Sequence, residues 1–380
     1  MSHFTVLVIS DKALDRETLT PILQPWHEYE CTGTDDQYVI DVDVTDEVKE
    51  EFNKPRQVVV LADGSVHSRY DQRFYTKEPE KKASWDTRKE FELPAGAVEQ
   101  EMAADEARKH GVGYKTMAEC ATDYFGAFER DDRFFNKTNP KKKWDWWQIG
   151  GRWSDMIRLR GDVCEAMRHV QVLTERRLPI PDSTKALIDG VQMGERSWTN
   201  KNEPERVGYC DVARKRQIDF DAMRDEAEKS TLETHAKAAA IIAGRPFETW
   251  EEVRARFEAM PTDNAVVTAG GDRWEPVRKA FHSQPVIVDL KAAEMLSFFD
   301  SDADLKMFRM SPEDVALRAR RRALQTFAVV KDGQWYERGS MGWWGCVSDE
   351  KDADTWDQQF SDLIDGLPDD TCLAVVDCHI

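Results

Sequence analysis

Two short apolar runs, one near each end of the chain, constrain its fold more than any other feature. Phe4 to Ile9 and Thr371 to Ile380 both have strand length and strand composition. A run of this kind left in water wastes its burial, so both runs are expected to pair within one sheet. The expected class is α+β: an antiparallel sheet domain formed by both chain ends, whose closing hairpin, helix and strand would suit a ferredoxin-like layer. Between the ends the composition shifts, and from Asp182 to about Arg322 helix formers dominate. The expected organisation is therefore residues 1–180 and 323–380 as the sheet domain, with 181–322 as a mainly helical insertion.

Local signals fill in this outline. Gln57 to Ala62 reads as a strand ended by the turn pair Asp63-Gly64. Glu92 to Arg108 and Thr116 to Phe125 read as helices, and the apolar spacing from Phe220 to Ile242 predicts a long one. Thr249 followed by Glu252 has capping-box spacing. Ser311-Pro312-Glu313-Asp314 opens a helix with an N-cap hydroxyl, a proline in the first turn and two acids. Asp332-Gly333 predicts a hairpin turn, and Trp356 to Leu367 an amphipathic helix.

Charge and composition exclude several functions. The formal charge is −19, from 72 acidic against 53 basic residues, which opposes broad nucleic-acid binding through phosphates. It suits plain solubility, or an acidic face offered to a basic partner. The longest uninterrupted apolar run, Ala238 to Ala243, is far too short to span a bilayer. The seven cysteines are scattered with no C-x-x-C pair, so neither a zinc ribbon nor a dithiol redox site is indicated. No metal and no cofactor is expected, the thiols are expected to be free, and the expected location is cytoplasmic.

Thirteen tryptophans are the unusual feature, and they concentrate where glycine and arginine also do. In the block from Trp144 to Trp153, Gly150 and Gly151 permit close backbone approach. Arg152 offers a fork of donors to an anion, and Trp146, Trp147 and Trp153 offer flat faces for a base or sugar. Asp145 could orient the arginine. A second segment, from Trp335 to Gly345, repeats the ingredients: Arg338, Trp343 and Trp344, with Glu337 as an acid or base. If the two met in space they would line one aromatic, anion-friendly pocket; otherwise both are packed turns. At the C-terminal strand, alternation places Asp377 and His379 on one face and Cys378 on the other, so an Asp377–His379 couple is open and a Cys–His pair is not. Arg318 to Arg322 is expected to pair with nearby acids, and Asp41-Val42-Asp43 is expected to be a polar strand face. No complete catalytic signature is present.

The opening His3-Phe4-Thr5-Val6-Leu7-Val8-Ile9, the block Lys143-Trp144-Asp145-Trp146-Trp147-Gln148-Ile149-Gly150-Gly151-Arg152-Trp153, the Tyr336-Glu337-Arg338-Gly339 to Gly342-Trp343-Trp344-Gly345 loop and the ending Val375-Val376-Asp377-Cys378-His379-Ile380 resemble a family of proteins encoded by bacteriophages and prophages. The resemblance covers both ends and the tryptophan block, and the helical middle lies outside it. It implies a virus-encoded protein acting inside a host bacterial cell, and it brings no catalytic residues with it. The expectation drawn from residues and resemblance together is an accessory protein that sequesters or cleaves a nucleotide-like ligand to counter host antiviral defence. The alternative is a non-enzymatic acidic inhibitor that binds a host defence complex directly.

Overall fold

The apolar runs at the two ends pair with each other over their whole length. In the computed structural model, which describes residues 2–77, 89–197, 199–202, 206–258, 274–297, 301–342 and 346–380, strand β1 is His3–Ser10. The other strands of its sheet are β2 (Trp146–Gly151), β3 (Glu195–Arg196), β4 (Val212–Arg214), β5 (Ala328–Lys331), β6 (Gln334–Glu337) and β7 (Cys372–His379). The order across the sheet is β3-β2-β7-β1-β5-β6, with β4 also pairing β7. β7 is antiparallel to β1, with Val6 opposite Val376 and His3 opposite His379. Every residue of β7 is buried, which is why Cys372–Val376 reads as an unbroken apolar run rather than an alternating one. Each fully buried Val or Leu there contributes about 1.5–3 kcal/mol.

The protein is α+β, and its seven-stranded sheet is formed at the termini. The sheet is mixed, however, and not wholly antiparallel as a ferredoxin-like layer requires. β5 lies parallel beside β1, with Val6 opposite Ala328, and β3 lies parallel to β2. No hairpin links β1 to β5, so the long crossover between them leaves the parallel arrangement available.

The chain forms two compact units, Met1–Gln24 with Trp146–Ile380, and Pro25–Asp145. In the first, Leu7, Ile9, Val329, Leu373 and Val375 on one sheet face pack against Trp356, Phe360 and Ile364 of α6 (Ala353–Gly366). The same cluster includes Val163 of α2 (Gly161–Glu175) and Met223 of α3 (Phe220–Ile242). α1 (Arg16–Leu23) follows β1 directly. α3 continues into a second, helical core, where its Ala238 and Ile242 meet Val253, Phe281, Ile287, Leu290 and Leu305. Leu305 belongs to α4 (Ser301–Phe308), and α5 (Pro312–Arg321) lies along α3. One helix of 23 residues thus joins the sheet core to the helical core.

The second unit holds small antiparallel sheets. Ile40–Asp43, Arg133–Thr138 and Phe128–Arg130 form one, and Val66–Ser68, Arg56–Val60 and Val98–Met102 another. The helix expected over 92–108 is restricted to Ala104–Lys109, because Val98–Met102 pairs with Arg56–Val60. Strand pairing there overrides an Ala/Glu-rich composition that favours helix. The unit's ends lie together: the N–H groups of Lys143 and Trp144 both donate to the Trp26 carbonyl (2.7 and 3.3 Å).

Candidate functional site

Antiparallel pairing of β7 with β1 and β2 brings four side chains together at one end of the sheet. His3 is opposite His379, which is opposite Trp146, and Asp377 is one step further along β7 on the same face. Asp377 is fully buried. Its Oδ1 accepts from His3 Nδ1–H (2.9 Å) and its Oδ2 from the Arg152 backbone N–H (2.9 Å). The His379 ring stacks on the Trp146 indole, 5.3 Å between centroids at 15°, and His3 meets both rings edge-on at 4.9 and 5.4 Å. Trp146 remains 40% exposed, so the cluster opens to solvent on its indole.

Asp377, whose pairing with His379 the alternation left open, makes a couple with His3. Alternation puts Asp377 and His379 on one face, but neighbours two apart on a strand diverge. A diagonal cross-strand partner lies closer, and here it comes from β1. The carboxylate fixes the imidazole with Nδ1 as the donor, leaving Nε2 as the basic nitrogen, the usual arrangement of an oriented acid–base histidine.

The two glycines of the tryptophan block are required by buried acids. Gly150 and Gly151 have φ of +74° and +60°. A β-carbon on Gly150 would lie 2.8 Å from Asp211 Oδ2, and one on Gly151 would collide with Asp377 and come within 2.6 Å of Gln148 Nε2. Asp211, 1% exposed, accepts from the backbone N–H groups of Gly194 and Asp155 (both 2.7 Å). Burial pushes its carboxyl up to about 6, against the downward pull of those N–H groups. Asp155 is itself buried and paired with Arg196. Neither Asp211 nor the role of Asp377 as a clamp on the Gly-Gly turn was marked by any local motif. Asp377 reaches the turn from β7 and Asp211 from the bend just before β4.

The remaining residues of the expected site divide clearly. Arg152 is exposed, and its guanidinium has no hydrogen bond or ion pair among the described residues. Trp147 is half-buried beneath the Arg16 guanidinium, 5.5 Å from its ring, and Trp153 packs against the sheet core. Asp145 belongs to the other compact unit. There its carboxylate, that of Glu28 and the Cys31 thiol lie within 4.8 Å of one another. Desolvation and the Glu28 carboxylate push the Cys31 thiol up, away from the thiolate a metal needs, and Glu28 already pairs with Lys142 (2.9 Å).

The strand that begins the second tryptophan segment does not lie beside β2. Three strands, β7, β1 and β5, separate β2 from β6; four strand spacings amount to about 19 Å. Arg338 is paired with Glu350, and Glu337 accepts from the Trp335 indole N–H (2.8 Å). Trp343 and Trp344 lie outside the described residues. The shared pocket expected from the two segments is thus not formed by β2 and β6, because they occupy separate parts of the sheet.

Among the described residues no helix is long and apolar enough to cross a membrane. No protein-family model, curated protein or solved structure matches the chain.

Proposed function

We propose that the sheet end built from His3, Trp146, Arg152, Asp377 and His379 binds a planar, anionic ligand of the nucleotide class. The observation that carries this reading is the Asp377-oriented His3 beside an indole that is stacked on one face and open to solvent. The exposed Trp146 surface would receive a base, a contact worth about 1–3 kcal/mol. The Arg152 guanidinium would take a phosphate. His3 Nε2 would move a proton if the ligand is cleaved, and Trp146, His379 and Arg152 suffice if it is only sequestered. The resemblance to phage-encoded proteins supports a host nucleotide signal as the ligand and relief from host defence as the purpose.

Quenching of tryptophan fluorescence by a panel of linear and cyclic nucleotides tests the reading. Trp146→Ala and Arg152→Ala should each weaken binding about tenfold or more. His3→Gln should leave binding within about threefold and abolish any turnover. Absence of binding by every nucleotide tried would remove the proposal. A second reading rests on the charge of −19: direct inhibition of a basic host defence protein. It predicts capture of one such protein from host lysate, weakened by salt and indifferent to Trp146→Ala.

A further inference from the structure

α3, α4 and α5 enclose a cleft of about 400 Å³ whose polar lining is Ser230, Thr231, Thr234, Asp304, Arg318 and Arg322. None of these belongs to the sheet-end cluster. Arg318 and Arg322 are four residues apart, the spacing that puts two helix side chains on one face. Acids approach both guanidinium groups from the Nε side: Arg318 Nε lies 3.3 Å from Asp354 Oδ1 and 3.9 Å from Asp357 Oδ2. Arg322 Nε lies 3.5 Å from the same Asp357 oxygen and donates to Gln325 Oε1 (3.0 Å).

These acids leave the donors unsatisfied. Arg318 Nε is buried with no hydrogen-bond partner, and the sole hydrogen bond of that guanidinium among the described residues is from Nη1 to the Met310 sulfur at 3.9 Å. The terminal nitrogens of Arg322 and the hydroxyls of Ser230 and Thr231 bond to nothing among the described residues. Arg322 and Ser230 are exposed and Thr231 is half-buried, so their donors are open to whatever enters the cleft; of these groups only Arg318 Nε is a buried donor without an acceptor, which is rare in native interiors. Neighbouring Arg320 differs: it does not line the cleft, and its Nη1 donates to both Asp225 (2.6 Å) and Glu228 (2.8 Å).

We propose that this cleft binds a small organic phosphate with a hydroxyl-bearing body. The two guanidinium groups and the α3 hydroxyls supply donors to the phosphate, the geometry in which arginine is strongest. Asp304 accepts from a ligand hydroxyl, and Ala227, Ala303 and Met307 meet its carbon skeleton. Asp357, 2% exposed, acts as a positioning residue that holds both guanidinium groups from behind.

Titration calorimetry of the full chain with ribose 5-phosphate, inorganic phosphate and ribose tests this. Ribose 5-phosphate should bind more tightly than inorganic phosphate, and ribose should not bind. Arg322→Gln should weaken binding about tenfold or more. Ala227→Leu should do the same by filling the cleft without touching a charge, and it carries the test if the arginine variant does not fold. Arg320→Gln and Trp146→Ala should stay within about twofold of the parent, which separates this cleft from the sheet-end site. Equal affinity for phosphate and its ester would overturn the role given to Asp304 and the apolar wall. No binding by the parent, or unchanged binding by both cleft variants, would overturn the proposal.

Discussion

Gly151 shows how one residue can be indispensable without touching a ligand. Its φ is +60° and a β-carbon there would strike the Asp377 carboxylate. Gly151→Ala should therefore cost more than the left-handed backbone penalty alone, about 2 kcal/mol or more in urea unfolding. Gly33 has a similar φ of +66° with nothing within 4 Å, so Gly33→Ala should cost only about 1 kcal/mol. Asp211 makes a pH prediction. Its folded value of about 6 lies above the ordinary 3.8, so the folded state holds its proton longer than the unfolded chain does. The stability this gives is complete below the ordinary value and is lost as pH rises to about 6. Relative to Asp211→Asn, the parent should be about 2 kcal/mol more stable at pH 4.5 than at pH 7. Unfolding midpoints of both proteins at the two pH values check it, and parallel curves would refute it. At this scale the sequence announced that Gly150-Gly151 was a special turn and that Asp377 shared a face with His379. It was silent on what the turn touches, since Asp211 and Asp377 arrive from positions far along the chain. The shared face of Arg318 and Arg322 was legible in their spacing, but the run of arginines around Arg320 hid it.

Elements were legible where their end signals are local. Thr249 and Glu252 exchange the two hydrogen bonds of a capping box (2.7 and 3.2 Å) and start the helix Trp250–Glu258. The Ser311 hydroxyl accepts from Asp314 N–H (3.1 Å) at the start of α5. Asp332 and Gly333, at φ of +51° and +70°, turn β5 into β6, as a two-residue hairpin loop demands. Ser311→Ala should destabilise the protein by about 1 kcal/mol, read as a lower urea midpoint at unchanged slope, while Ser311→Asp should be nearly neutral. Val98–Met102 failed because its partner strand, Arg56–Val60, lies 40 residues earlier and nothing nearby signals the pairing. The mixed sheet has the same cause. The direction of β5 beside β1 is set by the crossover and not by either strand's own residues.

For the whole molecule, the sheet drawn from both ends followed directly from burial, since two apolar strands at opposite ends have few other places to go. The cuts at 24/25 and 145/146 did not. No glycine- or serine-rich linker marks them, and the second falls inside the tryptophan block, between Asp145 and Trp146. Residues 25–145 have their own clusters, Val48 with Ala121, Ala127 and Phe134, and Val58 with Val66, Ala107 and Val112. Their first and last segments are already hydrogen-bonded to each other through Trp26. Residues 25–145 produced alone should therefore give dispersed amide NMR signals and a cooperative melt. A chain in which a short glycine-serine bridge replaces them should retain the first unit's circular dichroism.

β7 is bonded to β1, β2 and β4 at once, and it is synthesised after all three. A ribosome making this chain exposes β1 some 360 residues before its principal partner exists, at about 5–20 residues per second. Until β5 is made, β1 has neither of its partner strands, and the β7 side stays open longer still, while residues 25–145 have all they need to collapse at once. Nascent chains arrested short of residue 372 should hold a finished inner segment between two unprotected flanks, and those flanks are where holding chaperones would be found.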